Sequence, residues 1–137
     1  MIRAFALVIG IVFLVMGILG FIPLFKFGAE DYLLGIFAVD TVHNVIHLLV
    51  GALGVGAYYW DRARLYCQGL GIVYLLVGIL GFIPAFIFPD EMLLGLFHVN
   101  LADNLLHLVV GALAAYLGFA PQFGGRSVGE RPASPAP

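Results

Sequence analysis

Four stretches of about 20 consecutive, mostly apolar residues dominate the sequence. They run roughly from Ala4 to Phe25, Thr41 to Trp60, Leu65 to Phe86 and Leu101 to Phe119. About 20 such residues cross a hydrocarbon layer about 30 Å thick when they are helical. Backbone polar groups in lipid must be satisfied within the segment, and the stretches lack the alternating pattern of barrel strands. The sequence therefore predicts an all-α protein, an integral membrane four-helix bundle.

The composition supports this class and excludes others. Hydrophobic residues make up 63% of the 137 residues and charged residues 10%, against about 45–50% and about 25% in soluble domains. A core of this size cannot enclose so many apolar side chains, which excludes a soluble monomer. No basic run is present that would neutralise phosphates, so nucleic-acid binding is excluded. Cys67 is the single cysteine, so one chain forms neither a disulfide framework nor a thiolate zinc cluster.

The second half of the sequence repeats the first. Gly17-Ile18-Leu19-Gly20-Phe21-Ile22-Pro23 recurs letter for letter at residues 78–84, and His47-Leu48 recurs at residues 107–108. We therefore predict two tandem two-helix repeats, residues 1–60 and 61–123, followed by a disordered cytoplasmic tail at 124–137. Each repeat crosses the membrane an even number of times, so the two copies should be parallel and equivalent residues should lie at equal depth.

Glycines recur on one side of two of the predicted helices. They are Gly10, Gly17 and Gly20 in the first stretch and Gly71, Gly78 and Gly81 in the third. Small residues allow helix backbones to approach closely in lipid, so these positions indicate helix contacts. Space left for a cofactor is the alternative.

The basic residues indicate the orientation. Five arginines fall on one side of the predicted spans and only Lys26 on the other: Arg3, Arg62, Arg64, Arg126 and Arg131. Because Lys and Arg concentrate in cytoplasmic loops, we expect a multi-pass protein of the cytoplasmic membrane with both termini in the cytoplasm. The partners expected are the lipid bilayer and no nucleic acid; a protein partner or a second copy of the chain stays open.

Asp40 and Asn100 are predicted to cap the second and fourth helices. Asp103 lies three residues after Asn100 and completes a capping arrangement, whereas the first repeat has His43 at that position. The short apolar segments 33–39 and 93–99 precede these caps. They are interpreted either as interfacial helices or as re-entrant segments against the bundle.

Polar residues concentrate at matched positions near the start of the second and fourth helices. They are Asp40, His43, Asn44 and His47 in one helix and Asn100, Asp103, Asn104 and His107 in the other. Residues four apart share a helix face, so His43 lies above His47 and Asp103 above His107. Because polar groups in lipid are costly without partners, the cluster should turn inward and be mutually hydrogen-bonded. His98, just before the second cap, is either a further member or simply solvated.

Three interpretations of this cluster stay open. It can be a hydrogen-bonded network that fixes helix register. It can be a metal site in which His43, His47, Asp103 and His107 bind zinc or another transition metal. It can also be a haem site with His47 and His107 as axial ligands. Since no recognisable catalytic constellation is present, the leading hypothesis is a non-enzymatic packing or interaction module; the alternative is a metal- or haem-binding protein for electron transfer or sensing.

The segment from Phe37 to Leu48, with Gly51 and the preceding Gly-Ile-Leu-Gly-Phe-Ile-Pro motif, resembles the bacterial membrane family catalogued as domain-of-unknown-function family 4383. The resemblance covers nearly the whole chain except the tail. It implies four membrane helices, an HNxxH-type element in the first half and a weaker one in the second, and no particular activity. His43, Asn44 and His47 match the element. Asp103, Asn104 and His107 match it with Asp for the first His, and Asp40 replaces an expected Asn.

Overall fold

Four long α-helices make up most of the computed structural model, which describes residues 1–28 and 32–121. They are α1 (Ile2–Leu19), α2 (Thr41–Tyr59), α3 (Ala63–Leu80) and α4 (Leu101–Phe119). All four are long and apolar enough to cross a membrane. Only 22% to 39% of each apolar window is buried inside the protein, and the outward-facing residues are mostly large and hydrophobic. The predicted four helices are confirmed. The predicted tail, residues 124–137, lies outside the described residues.

The helices pack in two close pairs, α1 with α2 and α3 with α4. Glycines lie at both contacts: a Cβ on Gly10 would lie 2.7 Å from the backbone nitrogen of Val55, and a Cβ on Gly111 would lie 2.7 Å from that of Leu75. Real side chains cannot approach a backbone so closely, so these positions need glycine for the helices to touch. Gly71, which the prediction grouped with Gly10, lies equally close to α4, since its Cβ would be 2.5 Å from a backbone nitrogen there, so the glycine pattern is a packing pattern, as predicted.

The two pairs meet around a small apolar core. It consists of Phe13, Leu70, Tyr74, Val110 and Ala114. Between α2 and α3 the contact is looser than within either pair, and a groove opens between these helices.

The connections between paired helices contain short strands instead of the helices considered from the sequence. After a 3₁₀ turn (Pro23–Phe25), β1 (Lys26–Phe27) pairs antiparallel with β2 (Tyr32–Leu33). In the second half, a 3₁₀ turn (Pro84–Phe86) leads into three antiparallel strands, with another 3₁₀ turn (Pro89–Glu91) between the first two: β3 (Ile87–Phe88), β4 (Met92–Leu93) and β5 (Phe97–His98).

The interpretation of segments 33–39 and 93–99 as interfacial helices is wrong. Leu34 and Gly35 adopt φ angles of +55° and +71°, and Leu94 and Gly95 adopt +53° and +69°. Two successive residues with positive φ form a tight turn and cannot continue a right-handed helix. Each turn presses one leucine into the bundle, since Leu33 is 0% and Leu93 1% exposed.

Candidate metal centre

The caps of α2 and α4 position the polar residues. The Asp40 side chain accepts a hydrogen bond of 2.8 Å from the backbone N–H of His43. Asn100 accepts one from the N–H of Asp103, and the Asp103 carboxylate accepts one from the N–H of Asn100, which completes a capping box. Both predicted caps are confirmed. Each satisfies backbone groups that the first turn of a helix leaves without partners.

The same acidic residues also bind the connection of the opposite half. Asp40 Oδ2 accepts hydrogen bonds from the backbone N–H of His98 at 2.6 Å and from its ring Nδ1 at 2.9 Å. Asp103 Oδ2 accepts one from the backbone N–H of Ala38 at 3.0 Å. The amide of Asn100 donates to the carbonyl oxygen of Ile36 at 2.7 Å. The starts of α2 and α4 are therefore held side by side.

The electrostatics of Asp40 follow from these contacts. Partial burial opposes ionisation of its carboxyl group, but the hydrogen bonds from His43 and His98 outweigh this effect, so the pKa of Asp40 lies below its ordinary value. The carboxylate is thus held in its charged form by donors from both halves of the chain.

Below the caps, three histidines converge. His43 and His47 lie one turn apart on α2, and His107 faces them from α4; each can offer a ring nitrogen within 4.8 Å of the other two. The side chains are buried, with exposures of 2%, 4% and 4%. The ring centroids of His43 and His47 are 4.5 Å apart and those of His43 and His107 are 6.0 Å apart.

Aromatic rings surround the three histidines. Phe13 of α1 stacks on His47 with centroids 5.3 Å apart, and Tyr74 of α3 meets His107 edge-on at 4.9 Å. Phe97 of β5 lies 5.2 Å from His43. A cavity of about 140 Å³ adjoins the group, and its remaining walls are aliphatic residues of α2 and α3. The site is therefore a small polar centre in an apolar and aromatic shell.

Several buried nitrogens of this centre have no hydrogen-bond partner among the described residues. They are both ring nitrogens of His47 and the Nδ1 atoms of His43 and His107. The histidines turn inward as predicted, but the mutually hydrogen-bonded network expected from the sequence does not form between them. A buried polar atom without a partner costs about 1–3 kcal/mol. A cation bound between these rings would give such nitrogens a partner.

The other predicted site residues have different neighbours. Asp103 is not part of the three-histidine group, and its Oδ2 atom accepts hydrogen bonds from the N–H groups of Ala38 and Asn100. Asn44 lies against Gly20, and Asn104 lies against Gly81, to whose carbonyl oxygen it donates a hydrogen bond of 2.9 Å. Asp40 and Asn100 are caps, and His98, the fourth histidine of the chain, pairs with Asp40.

The size of the space distinguishes between the two cofactor types considered. Pockets for small molecules usually measure about 300–1,000 Å³, whereas the cavity beside the histidines is about 140 Å³. A porphyrin between His47 and His107 also needs the place that the His43 ring fills. The residues present therefore fit a single ion and do not fit a haem.

The sequence reasoning missed the aromatic shell. Phe13 and Tyr74 occupy unremarkable positions within apolar stretches, so no polar pattern marks them. A signal exists for Tyr74, since it is one of six tyrosines and the one in the middle of an apolar span. Tyrosine at such a depth needs a reason, because its hydroxyl prefers the membrane interface.

Comparison with known proteins assigns a family. The model of the family described as Domain of unknown function (DUF4383) matches residues 3–120. The chain belongs to this family. The resemblance inferred from the HNxxH-type element is thereby confirmed. No curated protein and no solved structure matches the chain.

Proposed function

We propose that this DUF4383 protein is a multi-pass protein of the cytoplasmic membrane that binds one transition-metal ion between α2 and α4. Four helices with apolar outer surfaces support the membrane location. The excess of arginines at the end that carries Arg3, Arg62 and Arg64 supports cytoplasmic termini. The repeated sequence supports two parallel two-helix copies, which place His47 and His107 at matched depths.

The observation that carries the proposal is the group of three buried histidines with ring nitrogens within 4.8 Å of one another, each of which has at least one buried ring nitrogen without a partner in the described part of the chain. Neutral imidazole is a good ligand for zinc, copper, iron and nickel. Nitrogens bound to zinc at about 2.0–2.1 Å from the ion lie roughly 3.4 Å apart. Binding of an ion would draw the three ring nitrogens closer than their present separation, which is within 4.8 Å.

The proposed centre has three protein ligands and an open fourth position. Three-histidine zinc sites of this kind keep the fourth position for water or a small exogenous ligand. The cavity of about 140 Å³ beside the rings provides room for it. Zinc is the first candidate, and the donor set equally accommodates copper or iron, which would permit electron transfer.

A packing module without a ligand is the second candidate. The contacts of Asn44 with Gly20 and of Asn104 with Gly81 favour it, because they join α1 to α2 and α3 to α4 in the same way. The caps that cross between the halves add to this stabilisation. In such a packing module the polar residues fix the register of the helices, and the histidines bind no ion.

Metal titration of the purified protein distinguishes the two. The full chain in detergent is stripped with a chelator, and Co²⁺ and Zn²⁺ are added while the visible Co²⁺ spectrum and the metal content are measured. We expect about one ion per chain and a tetrahedral Co²⁺ spectrum that Zn²⁺ abolishes.

The variant His47→Gln should lose this binding, and His98→Gln is the matched control, since His98 is the one histidine outside the group. Circular dichroism and gel filtration establish that both variants are folded. Absence of stoichiometric metal in folded wild-type protein, or equal loss in both variants, contradicts the metal site and supports the packing module.

A further inference from the structure

A second, larger space lies between α2 and α3, at the opposite end of the bundle from the helix caps. It measures about 380 Å³ and is only partly enclosed. Its walls are almost entirely apolar, with Val50 and Leu53 from α2 and Leu65, Leu70 and Val73 from α3. This groove between α2 and α3 has the size of a small-molecule site.

Small residues keep the groove open. Gly69 of α3 lines it, and a Cβ built there would meet nothing within 4 Å. Ala57 lines it from α2. Gly69 thus differs from Gly10 and Gly111, which are filled by a neighbouring backbone. Its lack of a side chain leaves space beside the helix and creates no helix contact.

Arg62 is the one charged residue among those that line this apolar groove. The two neighbouring arginines are engaged: Arg3 donates to the carbonyl oxygen of Tyr58 and lies 3.6 Å from Asp61, and Arg64 donates to the carbonyl oxygen of Gly118. Across residues 1–28 and 32–121, the side chain of Arg62 makes no hydrogen bond or ion pair. Trp60, an aromatic residue of the type found at membrane interfaces, lies beside it.

We propose that the groove between α2 and α3 binds one anionic phospholipid of the surrounding leaflet, with an acyl chain along its apolar walls and the phosphate at Arg62. Arginine binds phosphate through paired N–H donors, and basic residues beside spaces between membrane helices on the cytoplasmic side bind lipid head groups. The apolar walls exclude a wholly polar ligand, and the cation selects an amphiphile with a negative head. The proposal does not depend on a metal at the three histidines.

Native mass spectrometry of the full chain in detergent tests the site. The protein is equilibrated with phosphatidylglycerol, which is anionic, or with phosphatidylcholine of the same acyl chains, which is zwitterionic. We expect one retained phosphatidylglycerol and a preference over phosphatidylcholine of about fivefold, the size that one arginine contributes near an anionic surface.

Two variants distinguish recognition of the lipid head group from binding of its acyl chain. Arg62→Gln should abolish the preference for phosphatidylglycerol, whereas Lys26→Gln, which removes a positive charge at the other end of the bundle, should preserve it. Gly69→Leu fills the groove and should reduce retention of phosphatidylglycerol about tenfold or more, since a filled groove no longer buries the chain. Ala112→Leu adds three carbons, against four for Gly69→Leu, to the exposed face of α4 and should leave retention unchanged.

The proposal is overturned if wild-type protein retains both lipids equally, if each control variant loses lipid as its partner does, or if folded Gly69→Leu retains phosphatidylglycerol fully. Displacement of the lipid by millimolar inorganic phosphate alone would also overturn it, because that result assigns recognition to a free anion.

Discussion

The first turns of α2 and α4 have nearly the same sequence pattern, but their third helical residues do different things. In α4, Asp103 faces back and accepts hydrogen bonds from Asn100 and Ala38. In α2, the residue in this position is His43, and its ring turns into the bundle beside His47 and His107. One helix therefore uses this position to stabilise its own start, and the other uses it to complete a group of histidines.

Because of Asp40, α2 does not need an acidic residue at its third position. Its carboxylate has two oxygens, of which one caps the helix and the other binds His98. Asn100 has a single acceptor oxygen, which caps α4, while its amide nitrogen binds Ile36. The carboxylate needed at the α4 start comes from Asp103 instead. In each half, therefore, one acidic residue binds the connection of the opposite half, but the two acids stand at different positions of the helix start.

Making α2 resemble α4 should have the largest effect. The variant His43→Asp provides a carboxylate that can accept the Asp40 N–H and leaves two imidazoles at the proposed centre. Loss of an outer neighbour of a metal ligand usually costs about 10–100-fold in affinity, so loss of a ligand should exceed about 100-fold. Competition titration with Co²⁺ and Zn²⁺ measures the metal affinity. An affinity within about tenfold of wild type would show that His43 is not a ligand.

Removing the acid of the second half should affect stability instead. Asp103→Ala leaves two backbone N–H groups, those of Ala38 and Asn100, without their partner. We expect the free energy of unfolding to fall by about 1–3 kcal/mol, with metal affinity changed by less than about tenfold. Denaturant unfolding in detergent and metal titration are the two measurements. A much larger loss of metal affinity would show that Asp103 belongs to the ligand set after all.

Asn44 and Asn104 also differ between the two halves. Asn104 donates a hydrogen bond to Gly81, and no corresponding bond from Asn44 to Gly20 is found in the described chain. Asn104→Ala should therefore destabilise the protein more than Asn44→Ala, by about 0.5–1.5 kcal/mol. Thermal unfolding of the two variants side by side checks this. Equal effects would indicate that contact with glycine, common to both, outweighs the hydrogen bond.

The smallest effect concerns pH. Because the pKa of Asp40 is lowered in the folded protein, its carboxylate stabilises the fold above its ordinary pKa of 3.8, and this stabilisation is lost as the pH falls through the lower folded value. Asp40→Asn should thus be less stable than wild type at pH 7, by less than about 1 kcal/mol for a partly exposed pair. The difference should shrink below pH 3.8. A difference independent of pH would assign the effect to geometry and not to charge.

The sequence was sufficient for the helices, the caps and the inward turn of the histidines, because periodicity, capping residues and the cost of polar groups in lipid are local rules. It was insufficient for the connections. Leu34 and Leu94 enter a conformation that leucine rarely adopts, and the burial of Leu33 and Leu93 accompanies it, together with backbone hydrogen bonds from Leu34 and Leu94 to Phe25 and Phe86. The Asp40 to His98 and Asp103 to Ala38 bonds join residues 58 and 65 positions apart. No pattern within a single helix specifies such contacts.

These exchanged bonds make the two hairpins depend on each other. A chain cut after Trp60 would leave the N–H of Ala38 and the Oδ2 atom of Asp40 without the groups that bind them. It would also keep two of the three imidazoles. Neither fragment therefore contains the complete group, and coexpressed fragments would have to reassemble before the three histidines could meet.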